Sequence, residues 1–122
     1  MPIASSLLDK PRLMEKLRAF HSYVRKNDGK VGQKTRGIDL NFNNACNLRC
    51  KYCFTNSPKG DHVKEYLDIG AIGRLADQAD ELGYFEFDLQ GGELLLQPEK
   101  LFQVLEAIKP ERFYMYLTTN GF

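Results

Sequence analysis

Ile38-Asp39-Leu40-Asn41-Phe42-Asn43-Asn44-Ala45-Cys46-Asn47-Leu48-Arg49-Cys50-Lys51-Tyr52-Cys53 runs from an alternating segment straight into three closely spaced cysteines. Apolar and polar residues alternate from Ile38 to Phe42, the period of a strand with one buried face, and Asn43-Asn44 breaks the pattern. The stretch reads as a strand over 38–42 with a cysteine-bearing loop at its carboxyl end. Downstream, Ile69, Ile72, Leu75, Ala76, Ala79 and Leu82 mark one face of a helix that Asp68 can cap and Gly83 can end. The aromatic-rich run from Tyr84 to Leu89 reads as a second strand. Pro98 is placed to open a helix through Leu101, Val104, Leu105 and Ile108, closed before Pro110, and Phe113 to Leu117 makes a third strand.

Strand, long loop, helix, strand, helix, strand is the order of right-handed crossovers in a parallel sheet, so the fold class is α/β. Three strands and two crossover helices leave such a sheet with open edges and incomplete cover. The expectation is a truncated unit, roughly half of a larger barrel or open sheet, or a chain completed by a partner. Upstream, Leu13, Leu17, Phe20 and Val24 form the stripe of an amphipathic helix over 11–26 that stops at Asn27-Asp28-Gly29. Between Arg25 and Arg36, the basic residues Arg25, Lys26, Lys30, Lys34 and Arg36 face a single acid, Asp28, and read as a solvated linker.

Composition sets the outer bounds. A chain of 122 residues, 43% hydrophobic and 27% charged, is one ordinary globular domain at most. Seventeen Lys and Arg against sixteen Asp and Glu leave a net charge of +1, so no overall field favours a phosphate backbone or an anionic membrane surface. General nucleic-acid binding is thereby disfavoured. No apolar stretch approaches the roughly 20 residues of a spanning helix, and Met1-Pro2-Ile3-Ala4-Ser5-Ser6 lacks the order of a signal peptide. The expected setting is cytoplasmic, with no membrane partner.

All three cysteines fall within Cys46–Cys53, an odd and tightly clustered set that suits a metal or cluster site in a reducing compartment better than a disulfide framework. The form is Cys-x3-Cys-x2-Cys at a strand's carboxyl end, where ligand sites in parallel α/β folds collect. Three thiolates on one loop can hold three corners of an iron-sulfur cube and leave the fourth iron open to a non-protein ligand. A structural zinc would need a fourth protein group such as His62. His21 and His62 otherwise read as packed or solvated histidines. Tyr52 and Phe54, flanking the last cysteine, read as loop aromatics packed against the sheet. Gly91-Gly92-Glu93 follows the second strand. Its glycines allow close backbone approach, and its carboxylate can replace water around an ammonium group or serve as a first-turn acid at a helix start.

The Cys46-x3-Cys50-x-Tyr52-Cys53 motif resembles the signature of the radical S-adenosylmethionine superfamily, with an aromatic residue before the last cysteine. Gly91-Gly92-Glu93 is similar to the glycine-glycine-glutamate motif with which that family holds the methionine end of its cofactor. Thr118-Thr119-Asn120-Gly121 resembles a turn common in these proteins. Leu94 stands where the family often has proline.

The resemblance implies a partial TIM-type (β/α)6 barrel of which about the first three strands are present. It divides the chain into an N-terminal helix and basic linker (1–37) and the N-terminal half of a radical SAM core domain (38–122). It further implies a 4Fe-4S cluster on Cys46, Cys50 and Cys53, with S-adenosylmethionine chelating the open iron and Glu93, Gly91 and Gly92 at its amino group. The backbone near Tyr52 would contact adenine, and Thr118 and Asn120 could reach a ribose or carboxylate or simply make a turn. One-electron reduction, by a donor such as flavodoxin or ferredoxin, would cleave the cofactor to a 5'-deoxyadenosyl radical that abstracts hydrogen from a peptide or small natural-product substrate. The rival expectations are an iron-sulfur electron carrier and a zinc-binding interaction module.

Overall fold

The computed structural model describes residues 9–54 and 67–121. Helix α1 (Pro11–Lys26) opens on a proline, whose fixed φ suits a first helical turn. It ends where Asp28 and Gly29 take positive φ, 54° and 76°. Strand β1 (Gly37–Asn41), helix α2 (Ile69–Glu81), strand β2 (Glu86–Gln90), helix α3 (Pro98–Ile108) and strand β3 (Tyr114–Leu117) follow. Two short 3-10 turns, Leu94–Leu96 and Pro110–Arg112, precede α3 and β3. No helix among the described residues is long and apolar enough to cross a membrane.

The three strands form one parallel sheet in the order β1-β2-β3, as α/β crossover connections require. Leu40 lies beside Leu89 and Leu89 beside Leu117, whereas Asp39, Asp88 and Tyr116 share a second row. Phe87 and Leu89 are fully buried with Ile72, Ala76, Val104 and Ile108 of the two crossover helices. Burial of Phe87, edge-on to Phe113 with centroids 5.4 Å apart, contributes about 2 to 3 kcal/mol.

The element boundaries differ from the sequence reading in instructive ways. The first strand begins at Gly37 because a Cβ there would lie 2.2 Å from the Glu86 carbonyl oxygen, so only glycine lets β1 and β2 meet this closely. The second begins at Glu86 rather than Tyr84. Tyr84 N–H instead closes the α2 turn on Ala79 O, and the N–H groups of Phe85 and Glu86 both reach Arg36 O. Asp68 caps α2 as expected, accepting a 2.8 Å hydrogen bond from Ala71 N–H. Lys109, at φ 57°, turns the chain out of α3 before Pro110.

Helix α1 departs most from its amphipathic pattern. Leu13 is fully buried, but Leu17, Phe20 and Val24 are only half-buried along an apolar groove of about 580 Å³ shared with Phe85. The other buried residue of the helix is a lysine. Lys16, 3% exposed, places Nζ 2.8 Å from Asp80 Oδ1 as an ion pair rather than an oriented hydrogen bond, and 3.9 Å from the centre of the Phe113 ring. Arg12 joins Asp80 at 3.0 Å, and Lys10 donates to the carbonyls of Pro110 and Phe113. Burial pushes the Lys16 ammonium below its ordinary value against the opposing pull of Asp80. For Asp80, burial acts upward but the adjoining cations Lys16 and Arg12 outweigh it and hold the carboxyl low.

Removing one partner of a buried pair leaves an uncompensated charge, whereas removing the lysine charge and keeping its stem does not. Asp80→Asn is therefore expected to cost about 3 kcal/mol in urea unfolding, and Lys16→Met distinctly less.

Candidate functional site

The carboxyl ends of all three strands converge on one edge of the sheet, and the cysteine loop leaves from the first of them. The chain after β2 is bound tightly to the start of that loop. Gly92 N–H donates to both the main-chain oxygen and the side-chain Oδ1 of Asn43, each at 3.1 Å, and Glu93 N–H donates to Ala45 O at 2.7 Å. A Cβ on Gly91 would lie 2.6 Å from Asn43 Oδ1, and one on Gly92 2.0 Å from Ala45 O. Neither glycine has positive φ, so proximity rather than a left-handed conformation demands glycine here.

Glu93 is 1% exposed, and its carboxylate ties three segments together. Oε1 accepts from Leu95 N–H at 2.8 Å, capping the 3-10 turn, and from the Thr119 hydroxyl; Oε2 accepts from Asn120 N–H at 2.7 Å. Burial acts to raise its pKa, but the hydrogen bonds from Thr119, Asn120 and Leu95 prevail and hold it below the ordinary 4.5. A carboxylate offers about four acceptor positions, so these donors leave about one, on Oε2. The Asn120 side chain then crosses to the cysteine loop, its Nδ2 donating to Asn47 Oδ1 at 3.0 Å.

Within that loop Cys46 and Cys53 are half-buried and Cys50 is exposed, and no disulfide joins them. Leu48 N–H donates to Cys46 Sγ at 3.4 Å. Cys53 N–H donates to Cys50 O at 3.3 Å. No three His, Cys, Asp or Glu side chains among the described residues already converge as a metal-binding group. Two features nevertheless suit a bound cluster and cofactor: a loop carrying three thiol donors, and the Asn43 side-chain nitrogen, which is buried there without a hydrogen-bond partner among the described residues.

Several side chains lie elsewhere than the sequence suggests. Tyr52 is 96% exposed and Phe54 is also exposed, so neither packs against the sheet. Thr118 is exposed and its N–H continues the ladder to Leu89 O, leaving the neighbouring Thr119 to meet Glu93. His21 is exposed, and His62 lies outside the described residues. Sequence reasoning passed over Asn43, Asn47 and Thr119. Asn43 read only as a strand breaker, and Asn47 and Thr119 stood inside the cysteine loop and the Thr118-Thr119-Asn120-Gly121 turn without a role of their own.

The family model of the radical SAM superfamily matches residues 40–122, and the chain belongs to that superfamily. Members use a 4Fe-4S cluster and S-adenosylmethionine, and the described fold is the corresponding α/β arrangement with a three-stranded parallel sheet. A probable GTP 3',8-cyclase of Methanocaldococcus jannaschii is 32% identical over 75% of this chain and 30% of its own length. An S-adenosylmethionine-dependent nucleotide dehydratase of Fibrobacter sp. is 33% identical over 72% of the chain and 28% of its own length. A 5-amino-6-(D-ribitylamino)uracil--L-tyrosine 4-hydroxyphenyl transferase, also from M. jannaschii, is 29% identical over 84% and 30%. The chain thus spans about 30% of the length of these relatives, all of them enzymes. No solved structure matches it significantly.

Two outcomes follow from the geometry. Gly92→Ala must push apart two main chains and is expected to cost about 2 to 3 kcal/mol in chemical denaturation. Because the folded pKa of Glu93 lies below 4.5, its ionised form stabilises the fold above that pH, and the contribution disappears as pH falls through the lower folded value. Glu93→Gln should accordingly lower Tm at neutral pH, with the gap to the parent protein narrowing as pH falls below the ordinary 4.5.

Proposed function

We propose that Cys46, Cys50 and Cys53 hold a 4Fe-4S cluster and that the adjoining strand ends bind S-adenosylmethionine, in a chain that forms the first part of a radical SAM enzyme. The observation that carries this reading is the joining of Gly91-Gly92-Glu93 to the base of the cysteine loop through Asn43 and Ala45. Held by Cys46, Cys50 and Cys53 and reduced by an external one-electron donor, the cluster would supply reductive cleavage of S-adenosylmethionine to methionine and a 5'-deoxyadenosyl radical able to abstract hydrogen from a substrate. The protein's part is to hold and orient. Glu93, kept anionic by Thr119, Asn120 and Leu95, offers its remaining Oε2 acceptor position to the cofactor's ammonium. Gly91 and Gly92 let main-chain oxygens come near the same group. Asn120 and Thr118, at the end of β3, face the ribose or carboxylate, and the backbone at Tyr52 faces the adenine.

For the substrate, the relatives' names favour a nucleotide or nucleobase-derived molecule over the peptide or natural product that the loop sequence suggests. Exposed Arg49 and Lys51 on the cysteine loop suit an acidic one-electron donor such as a flavodoxin or ferredoxin. Clustered cysteines without a disulfide suit a reducing cytoplasm.

Anaerobic reconstitution with iron and sulfide tests the reading. The expected result is a brown protein whose visible spectrum responds to S-adenosylmethionine and which releases 5'-deoxyadenosine after dithionite. Alanine at Cys46, Cys50 or Cys53 should abolish cluster retention, and Glu93→Gln should weaken cofactor affinity about tenfold with the cluster intact. A brown protein indifferent to the cofactor would leave the cluster in place and point to missing strands or an electron carrier, and a colourless one holding stoichiometric zinc would return the cysteines to zinc.

A further inference from the structure

Asn43 follows β1 and precedes Cys46 by three residues, in contact with both halves of the candidate site. Its side chain is 3% exposed, and Oδ1 accepts from Gly92 N–H. That donor fixes which end of the amide is oxygen, so the opposite end is the NH2 group. Nδ2 is buried and has no hydrogen-bond partner among the described residues. A buried amide donor without an acceptor is costly, and folded proteins rarely leave one. The other such atoms have different settings. Lys16 Nζ and Arg112 Nε belong to groups already paired with carboxylates near α1, and Asp88 Oδ1 belongs to a mid-strand carboxylate bonded by Gln90. Asn43 alone among them lies where the cysteine loop and the glycine-glycine-glutamate turn touch.

We propose that Asn43 is a two-ended binding residue: Oδ1 clamps Gly92 to the cysteine loop, while Nδ2 donates to an electron-rich acceptor that arrives with the bound group. This rests on the function proposed above. The acceptor is either a sulfur of the cluster or a carboxylate oxygen of S-adenosylmethionine. A hydrogen bond to cluster sulfur raises its reduction potential, and one to the carboxylate adds affinity without altering the cofactor-free cluster. The two ends of the amide therefore have separate signatures. Asn43→Asp keeps an oxygen for Gly92 and loses the donor, whereas Asn43→Leu loses both.

The test uses the reconstituted chain with three readouts. These are S-adenosylmethionine affinity by equilibrium dialysis, cluster potential by EPR-monitored titration, and amide hydrogen exchange at Gly92 in the metal-free protein. If the carboxylate is the acceptor, both variants lose about tenfold in affinity, neither loses affinity for decarboxylated S-adenosylmethionine, and the cofactor-free potential of the uncharged Asn43→Leu does not move. If cluster sulfur is the acceptor, both variants lower the cofactor-free potential. In either case Gly92 exchange rises in Asn43→Leu and stays near the parent rate in Asn43→Asp. The proposal is overturned if Asn43→Asp matches the parent protein in affinity and potential while Asn43→Leu does not, since the clamp alone then explains the residue. A parent protein that binds no cluster sinks the proposed function and the donor role together, and Gly92 exchange still decides whether the clamp exists.

Discussion

Gly92 comes so near the main chain at Ala45 that a single methyl group would occupy the space of a carbonyl oxygen, 2.0 Å away. This close approach brings the ends of β1 and β2 together beyond the last ladder pair and sets where the cysteine loop begins. Three N–H···O contacts hold it, from Gly92 to the two oxygens of Asn43 and from Glu93 to Ala45. Because they are largely main-chain contacts, the geometry depends on backbone proximity more than on side-chain rotamers. Only glycine permits such proximity, which ties two residues without chemistry of their own to the placement of three that have it.

Glu93 extends the same junction to β3. Taking a carboxylate out of water is expensive unless its oxygens are met by donors, and here Leu95, Thr119 and Asn120 supply them. The result is a charge held ionised at the meeting point of three strand ends, with Asn120 bridging onward to Asn47 in the cysteine loop. The donors that stabilise the carboxylate also orient the acceptor position left over, which is the position the proposed cofactor role would use. A carboxylate free to rotate in solvent would recognise an ammonium group with far less discrimination.

Helix α1 shows different physics away from these strand ends. Its attachment uses charge: Lys10 on the carbonyls of Pro110 and Phe113, and Lys16 and Arg12 on Asp80. Its apolar stripe contributes only Leu13 to a fully buried position, while Leu17, Phe20 and Val24 border an open groove. Hydrophobic periodicity identifies the helix correctly but not how deeply each position is buried, because depth depends on what packs opposite.

Local pattern determined most of the architecture. Alternation from Ile38 to Phe42, the Asp68 cap, the prolines opening α1 and α3, and the helical stripes around Ile72 and Val104 all act over a few residues, so one sequence suffices to read them. The cysteine spacing and Gly91-Gly92-Glu93 were equally legible, since motif chemistry is written in consecutive residues. What only the tertiary structure decided lies between segments far apart in the chain. Asn43 meets Gly92 across 49 residues, Asn120 meets Asn47 across 73, and Thr119 rather than Thr118 meets Glu93. The burial of Lys16, whose partner Asp80 sits on another helix, belongs with these. Such contacts depend on strand register and on the depth at which loops fold back, and neither is encoded by any local run of residues.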